Sequence, residues 1–125
     1  MQTILGKPIS GIKLGREIGC PTINCKIESI KGNIPYGVYT CYLIEGEKKH
    51  NGVMHYGPKS IGDSGKSTVY CEVHLLNYKK DGKMGNIKIG VLSKIRDIRK
   101  FKNKQSLKKQ IKKDICMAKN YFYHD

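Results

Sequence analysis

Apolar residues change their spacing once along this chain, and that change limits what it can build. Across residues 68–78, Val69, Cys71, Val73 and Leu75 alternate with Tyr70, Glu72, His74 and Leu76, which is the two-residue period of a β-strand. Further on, Leu107, Ile111, Ile115, Ala118 and Phe122 recur every three or four residues and draw one apolar stripe along a helix. Residues 37–44 are rich in β-branched and aromatic side chains and run into a Glu-Gly-Glu-Lys turn, so 49–55 should return as the hairpin partner. The segment 79–82 reads as a turn and 86–95 as a further strand. Asn103 is placed to cap the helix, because its side-chain oxygen can accept from one of the first free amides. The reading is a mainly β fold, an antiparallel closed barrel or sandwich, with one C-terminal helix against its side or over one end.

A chain of 125 residues makes one domain, assigned to residues 1–125, and buries about two thirds of its unfolded surface. No disulfide or structural metal is needed to hold a domain of that size. No apolar run reaches the ~18 residues of a membrane-spanning helix, and residues 1–5 are too short an apolar start for a secretory signal. Cys20, Cys25, Cys41, Cys71 and Cys116 are odd in number and form no CxxC pair. They read as small buried hydrophobes in a reducing, cytoplasmic setting. The histidines show no metal-ligand spacing, so any metal would be held by oxygen. The formal charge of +14 draws anions, whether nucleic acid or a nucleoside triphosphate. The same excess follows from abundant Lys, Ile, Asn and Tyr of the kind an AT-rich genome encodes. Charge alone does not choose between them.

Two segments stand apart from ordinary strand and turn. In the first, Gly11, Gly15 and Gly19 recur every four residues with Lys13 and Arg16 between them. Glycines let backbone amides approach phosphate oxygens and the cations offset their charge, although a glycine-rich hairpin loop has the same composition. Neither a P-loop nor a GxGxxG fingerprint is present. The second is PTIN at 21–24. On a strand Thr22 and Asn24 would project from one face, offering a hydroxyl and an amide oxygen of the kind Mg²⁺ accepts beside phosphates and water. A turn proline before polar strand residues explains the same string. Glu72 sits in the apolar run YCEVHLL, where a carboxylate could take the proton of an attacking hydroxyl or simply meet solvent.

Taken in order, these segments resemble the riboflavin kinase family of bacterial and eukaryotic type. The family's glycine- and arginine-containing opening followed by PTAN matches Gly6, Gly11, Gly15, Arg16, Gly19 and PTIN; its GVY strand matches 37–39. Its ExH strand matches Glu72 to His74, and its closing arginine, phenylalanine and helix match Arg96, Phe101, Leu107, Ile111 and Asp114. The resemblance implies a six-stranded antiparallel, Greek-key-like β-barrel with a helix packed on it. It implies transfer of the γ-phosphoryl group of ATP to riboflavin, giving FMN and ADP, with Mg²⁺ as the metal and Mn²⁺ or Zn²⁺ as alternatives. Thr22 and Asn24 would ligate that metal and Glu72 would activate the ribityl hydroxyl. Gly11, Lys13, Gly15 and Arg16, with Leu75, Asn77 and Met84, would meet the nucleotide. Arg96, Arg99, Phe101, Leu107 and Ile111 would meet the flavin.

Ile23 replaces the family's alanine and should point away from the metal. Met84-Gly85 replaces an aromatic-glycine turn, and Ile98 stands where the family has glutamate. Some family members carry an FMN adenylyltransferase domain, none of which is in this sequence, so the expected product is FMN. The expected protein is a monomer that acts on small molecules without membrane or nucleic acid. Two rivals differ in kind. One is a flavin carrier or sensor without turnover, which would need neither Thr22 and Asn24 nor Glu72. The other is a basic β-barrel that binds nucleic acid through the ten cations of residues 94–113, with Tyr36, Tyr39, Tyr42 and Tyr70 as stacking surfaces.

Overall fold

A computed structural model describes residues 2–9, 13–15 (backbone only), 19–58, 69–78 and 84–123. Seven strands precede one helix: β1 (Thr3–Pro8), β2 (Lys13–Gly15), β3 (Cys20–Lys31), β4 (Gly37–Glu45), β5 (Lys48–Gly57), β6 (Tyr70–Leu75), β7 (Ile87–Arg96) and α1 (Lys104–Tyr123). The sheet order is β1-β7-β4-β5-β6-β3-β2, and a further β1–β3 pairing closes it. Six antiparallel strands therefore form the barrel, as the family resemblance implies. The three-residue β2 hangs on the outer end of β3, outside the ring.

Strand parity builds two apolar layers. Ile4, Ile23, Cys41, Leu43, Met54, Val73, Leu75 and Ile89 are at most 1 % exposed and fill the barrel interior. The opposite parity supplies Val38, Val53, Cys20 and Leu76, which pack outside the barrel against Ile115 and Ala118, flanked by Ile111 and Phe122. The helical stripe read from sequence is thus the face that α1 lays on the wall. Gly46, with φ of 59°, makes the tight β4–β5 turn, where Glu45 pairs with Lys48. Gly6 is needed for a different reason. At the β1 bulge a Cβ there would collide with the Lys26 carbonyl and the Cys25 sulfur.

Asn103 does cap α1: the Ser106 amide donates to its Oδ1 at 2.9 Å. Asn103→Ala should therefore cost about 1 kcal/mol of stability, read as a lower urea midpoint with an unchanged slope. Four cysteines are buried, as a hydrophobic reading expects, but Cys116 is exposed on α1. Tyr39 and Tyr42 are not free stacking surfaces. Tyr39 is 5 % exposed and donates to the Pro35 carbonyl at 2.6 Å, while Tyr42 packs on Phe122.

Candidate active site

Antiparallel register brings the separate motifs together. Asn24 on β3 lies opposite Glu72 on β6, Glu72 lies opposite His55 on β5, His55 opposite Val38 on β4, and Val38 opposite Arg96 on β7. These five residues form one transverse row on the outer wall. At about 4.8 Å between neighbouring strands, Asn24 and Glu72 are adjacent and Arg96 is roughly 14 Å beyond Glu72 along the wall. Next to this row runs a second one, in which Thr22 lies opposite His74 and His74 opposite Val53. Thr22, Asn24 and Glu72 thus share one outward patch, while Ile23 between them is 1 % exposed and points into the core.

The helix covers only part of this wall. Over the Thr22–Asn24–Glu72 end the side chains stay half-buried, and the Glu72 side chain is 37 % exposed. Under the helix, burial is almost complete. His74 is 5 % exposed, and burial pushes its pKa down to about 4, so it stays neutral at physiological pH. Its Nε2 is 3.5 Å from Glu72 Oε1, and its Nδ1 has no partner among the described residues. The contact is therefore a neutral imidazole beside a carboxylate, not an ion pair. Burial also lowers His55, whose Nε2 is 3.0 Å from the Pro58 carbonyl.

At the other end of the row Arg96 is held by the helix. Its Nε and one terminal nitrogen each donate to Asp114 at 2.9 Å, and Gln110 adds a third bond to that carboxylate at 3.0 Å. Arg99 lies over the Phe101 ring at 5.1 Å and Arg96 at 5.9 Å, so Arg96, Arg99 and Phe101 form one cluster where β7 leads into α1. Leu107 and Ile111 are half-buried on α1, and Ile98 joins the packing below Ile111.

The nucleotide-side expectations scatter more. Gly11 and Arg16 lie outside the described residues. Lys13 pairs with Thr22 and Gly15 with Cys20 through the β2 backbone. Leu75 is fully buried inside the barrel and Met84 is 8 % exposed in the same core, so neither side chain offers much surface to a base. Asn77 is exposed and donates to the Tyr123 hydroxyl.

Two features escaped the sequence reading: His55, and the pairing of Asp114 with Arg96. His55 has the parity that puts it beside Glu72, but nothing short of the β5–β6 register identifies it. Asp114 was visible only as a helix position, and its partner Arg96 is 18 residues away.

The donor set suits a hard cation that shares its coordination with phosphates. Thr22 and Asn24 bring neutral oxygens, and among the described residues no group of three His, Cys, Asp or Glu side chains is placed to hold a metal. Glu72 stands one strand away, opposite Asn24.

Known proteins resemble this chain along nearly its whole length. A riboflavin kinase family model matches residues 2–122. An RNA-binding riboflavin kinase of Bacillus subtilis is 37% identical over 97% of this chain and 52% of its own length. A bifunctional riboflavin kinase/FMN adenylyltransferase of Buchnera aphidicola is also 37% identical, over 96% of this chain and 38% of its own. The chain thus spans about half, or less, of the length of these relatives. A solved structure described as a macrolide-efflux protein from Streptococcus pneumoniae superposes with a TM-score of 0.74, over 94% of this chain and 38% of that one. At 24% identity that likeness bears on the fold alone.

Proposed function

The chain belongs to the riboflavin kinase family, and on that premise we propose that it transfers the γ-phosphoryl group of ATP to the primary hydroxyl of riboflavin's ribityl chain. The observation that carries this reading is the register that sets Thr22, Asn24 and Glu72 on one open patch, with Arg96 further along the same row. The ribityl hydroxyl is to lie against Glu72, and the ring system toward Arg99, Phe101, Leu107 and Ile111. A ring of that size is held chiefly by apolar surface with a few polar anchors.

Phosphoryl transfer asks the protein mainly for position and for charge complementarity. Thr22 and Asn24 would hold Mg²⁺, which supplies charge neutralisation to the phosphates when bound. Glu72 orients the hydroxyl, accepts its proton as the oxygen attacks, and is itself steadied by neutral His74 at 3.5 Å. A protonated His74 would compete for the carboxylate's charge and weaken it as a base, and burial keeps it neutral. Gly11, Lys13, Gly15 and Arg16 are assigned to the triphosphate, and Asn77 to the nucleoside end. For Leu75 and Met84, burial leaves backbone contact as the available mode.

Purified protein incubated with riboflavin, ATP and Mg²⁺, followed by chromatography with flavin fluorescence, tests the proposal. FMN formed only when both ATP and metal are present supports it. Saturable flavin binding without FMN would replace it with the carrier reading. Thr22→Ala should raise the Mg²⁺ concentration needed for half-maximal rate by roughly tenfold, the low end of losses seen when metal-site partners are removed. An unchanged metal titration would take Thr22 out of the site. The described relatives that also carry adenylyltransferase activity are longer, and we assign this domain the kinase step alone. The RNA-binding description of the Bacillus subtilis relative gives nucleic acid a claim as a further partner, against the expectation drawn from the sequence.

A further inference from the structure

The outer face of α1 carries charge that the fold itself does not use. Ile111, Ile115, Ala118 and Phe122 are taken by the barrel, and Asp114, the helix's one acidic residue, is 2 % exposed and engaged by Arg96. What remains outside carries lysines and no acid. Lys109, Lys112, Cys116, Lys119 and Tyr123 follow one another at three- and four-residue steps, so they lie along a single stripe, with Lys113 at its edge. All of them are exposed. The stripe is about 21 Å long at 1.5 Å rise per residue.

This arrangement works against the helix. Lys109 and Lys113 stand at i,i+4, and Lys109 and Lys112 at i,i+3, where like charges repel. The first turn, at the positive end of the helix dipole, holds Lys104 and no acidic residue. Elsewhere on the surface cations meet acids, as in Lys7 with Glu28 at 3.8 Å and Lys94 with Asp97 at 2.5 Å. No position of the stripe carries an acid. At its far end Tyr123 is 44 % exposed, yet its hydroxyl accepts from both Asn51 and Asn77. The ring is therefore held in place while part of it stays open to solvent. Tyr121 beside it is 51 % exposed.

We infer that the Lys109–Tyr123 stripe of α1 binds single-stranded nucleic acid, the lysines following the phosphates and the pinned Tyr123 ring stacking on a base. A row of cations that ends in an aromatic platform is the combination such strands select. An anionic membrane fits less well. The helix has spent its aliphatic stripe on the barrel, and the large apolar side chains it still exposes are Met117, Tyr121 and Tyr123, too few to seat it among lipids. Lys109, Lys112 and Lys113 are exposed on α1 and have no assigned part in phosphoryl transfer, whereas the Tyr123 end of the stripe bonds Asn77, which is assigned to the nucleoside.

The test uses the whole chain and a fluorescein-labelled twelve-nucleotide oligo(U) RNA, followed by anisotropy across a potassium chloride series. Binding is expected to weaken linearly on a log–log plot. The triple variant Lys109→Gln, Lys112→Gln, Lys113→Gln should lose about two from that slope, at ~0.7 per phosphate contact. Its melting temperature should be equal or higher, because repulsion has been removed, and its FMN formation should be unchanged. Cys116, the exposed cysteine among the five, supplies a footprint: RNA should slow its alkylation by iodoacetamide at least threefold. The proposal is overturned by a wild-type slope in the triple variant, by unprotected Cys116 at saturating RNA, or by binding to phosphatidylserine vesicles with none to RNA. Loss of FMN formation with RNA binding intact would count against the kinase reading and not against this one.

Discussion

Glu72→Gln should lower the maximal rate of FMN formation by about a hundred- to ten-thousand-fold, the range that a positioned acid or base contributes. The substitution keeps shape and one acceptor oxygen and removes only the basicity. Because the side chain is 37 % exposed, the fold should tolerate it. KM for ATP should stay within about threefold, since Glu72 is assigned to the acceptor and not to the phosphates. Rapid-quench or steady-state assays over a range of both substrates separate the two constants. A fall in kcat with KM preserved is the signature of an interaction made in the transition state. If kcat holds and KM for riboflavin rises, Glu72 is a binding residue and the base lies elsewhere. Asn24→Ala offers an internal comparison, because Asn24 faces Glu72 across the β3–β6 pair. Its loss should appear in the metal dependence first and in the limiting rate at saturating metal much less.

How much of this could be read from the chain alone depends on which physical constraint each residue obeys. Alternation marks strands whatever the fold, so Val73 and Leu75 were recognisable as one face of a strand. The helical stripe and the Asn103 cap were legible for the same reason, since each is a local pattern. Alternation does not say what covers the other face. His74 shares the parity of Glu72, yet one lies under α1 at 5 % exposure and the other at its edge. That difference is decided by where a helix that starts at Lys104 comes to rest.

Joining PTIN to Glu72 required register, which the family resemblance supplied and periodicity could not. Leu75 and Met84 illustrate the opposite limit. A motif position can sit near a ligand while its side chain points into the core, and spacing carries no information about that. The Arg96–Asp114 pair was invisible for a simpler reason: opposite charges 18 residues apart are common in any basic chain, and only packing selects one partner. Tyr39 and Tyr42 looked like stacking surfaces by residue type, but the barrel uses one and the helix the other. Tyr36 and Tyr70 do stay partly exposed, and Tyr123 is a further aromatic that is held by hydrogen bonds yet half open.

Asp114→Ala should be the most destabilising single change among these residues, by about 3–5 kcal/mol. Asp114 is 2 % exposed and the Arg96 side chain 14 %, so removing the carboxylate leaves a guanidinium largely out of water with its bidentate partner gone. Gln110 loses its acceptor as well. Against a typical total of roughly 5–15 kcal/mol for a domain, such a loss takes a large share of the margin and should lower the melting temperature by about 10 °C or more. The cost belongs to the stranded charge and not to the pair's net worth. The double variant Arg96→Met, Asp114→Leu should therefore recover most of the stability, since a packed apolar pair often replaces a buried ion pair at little cost. A double variant as unstable as either single would show that the pair's geometry, and not its charge balance, docks α1 on β7. The same protein also separates Arg96's two duties. If Arg96 serves only to anchor the helix, the recovered fold should phosphorylate riboflavin with an unaltered KM. If its guanidinium also meets the flavin, stability returns while KM for riboflavin stays raised by tenfold or more, a loss of about 1.4 kcal/mol of binding. The row from Asn24 through Glu72 to Arg96 predicts the second result.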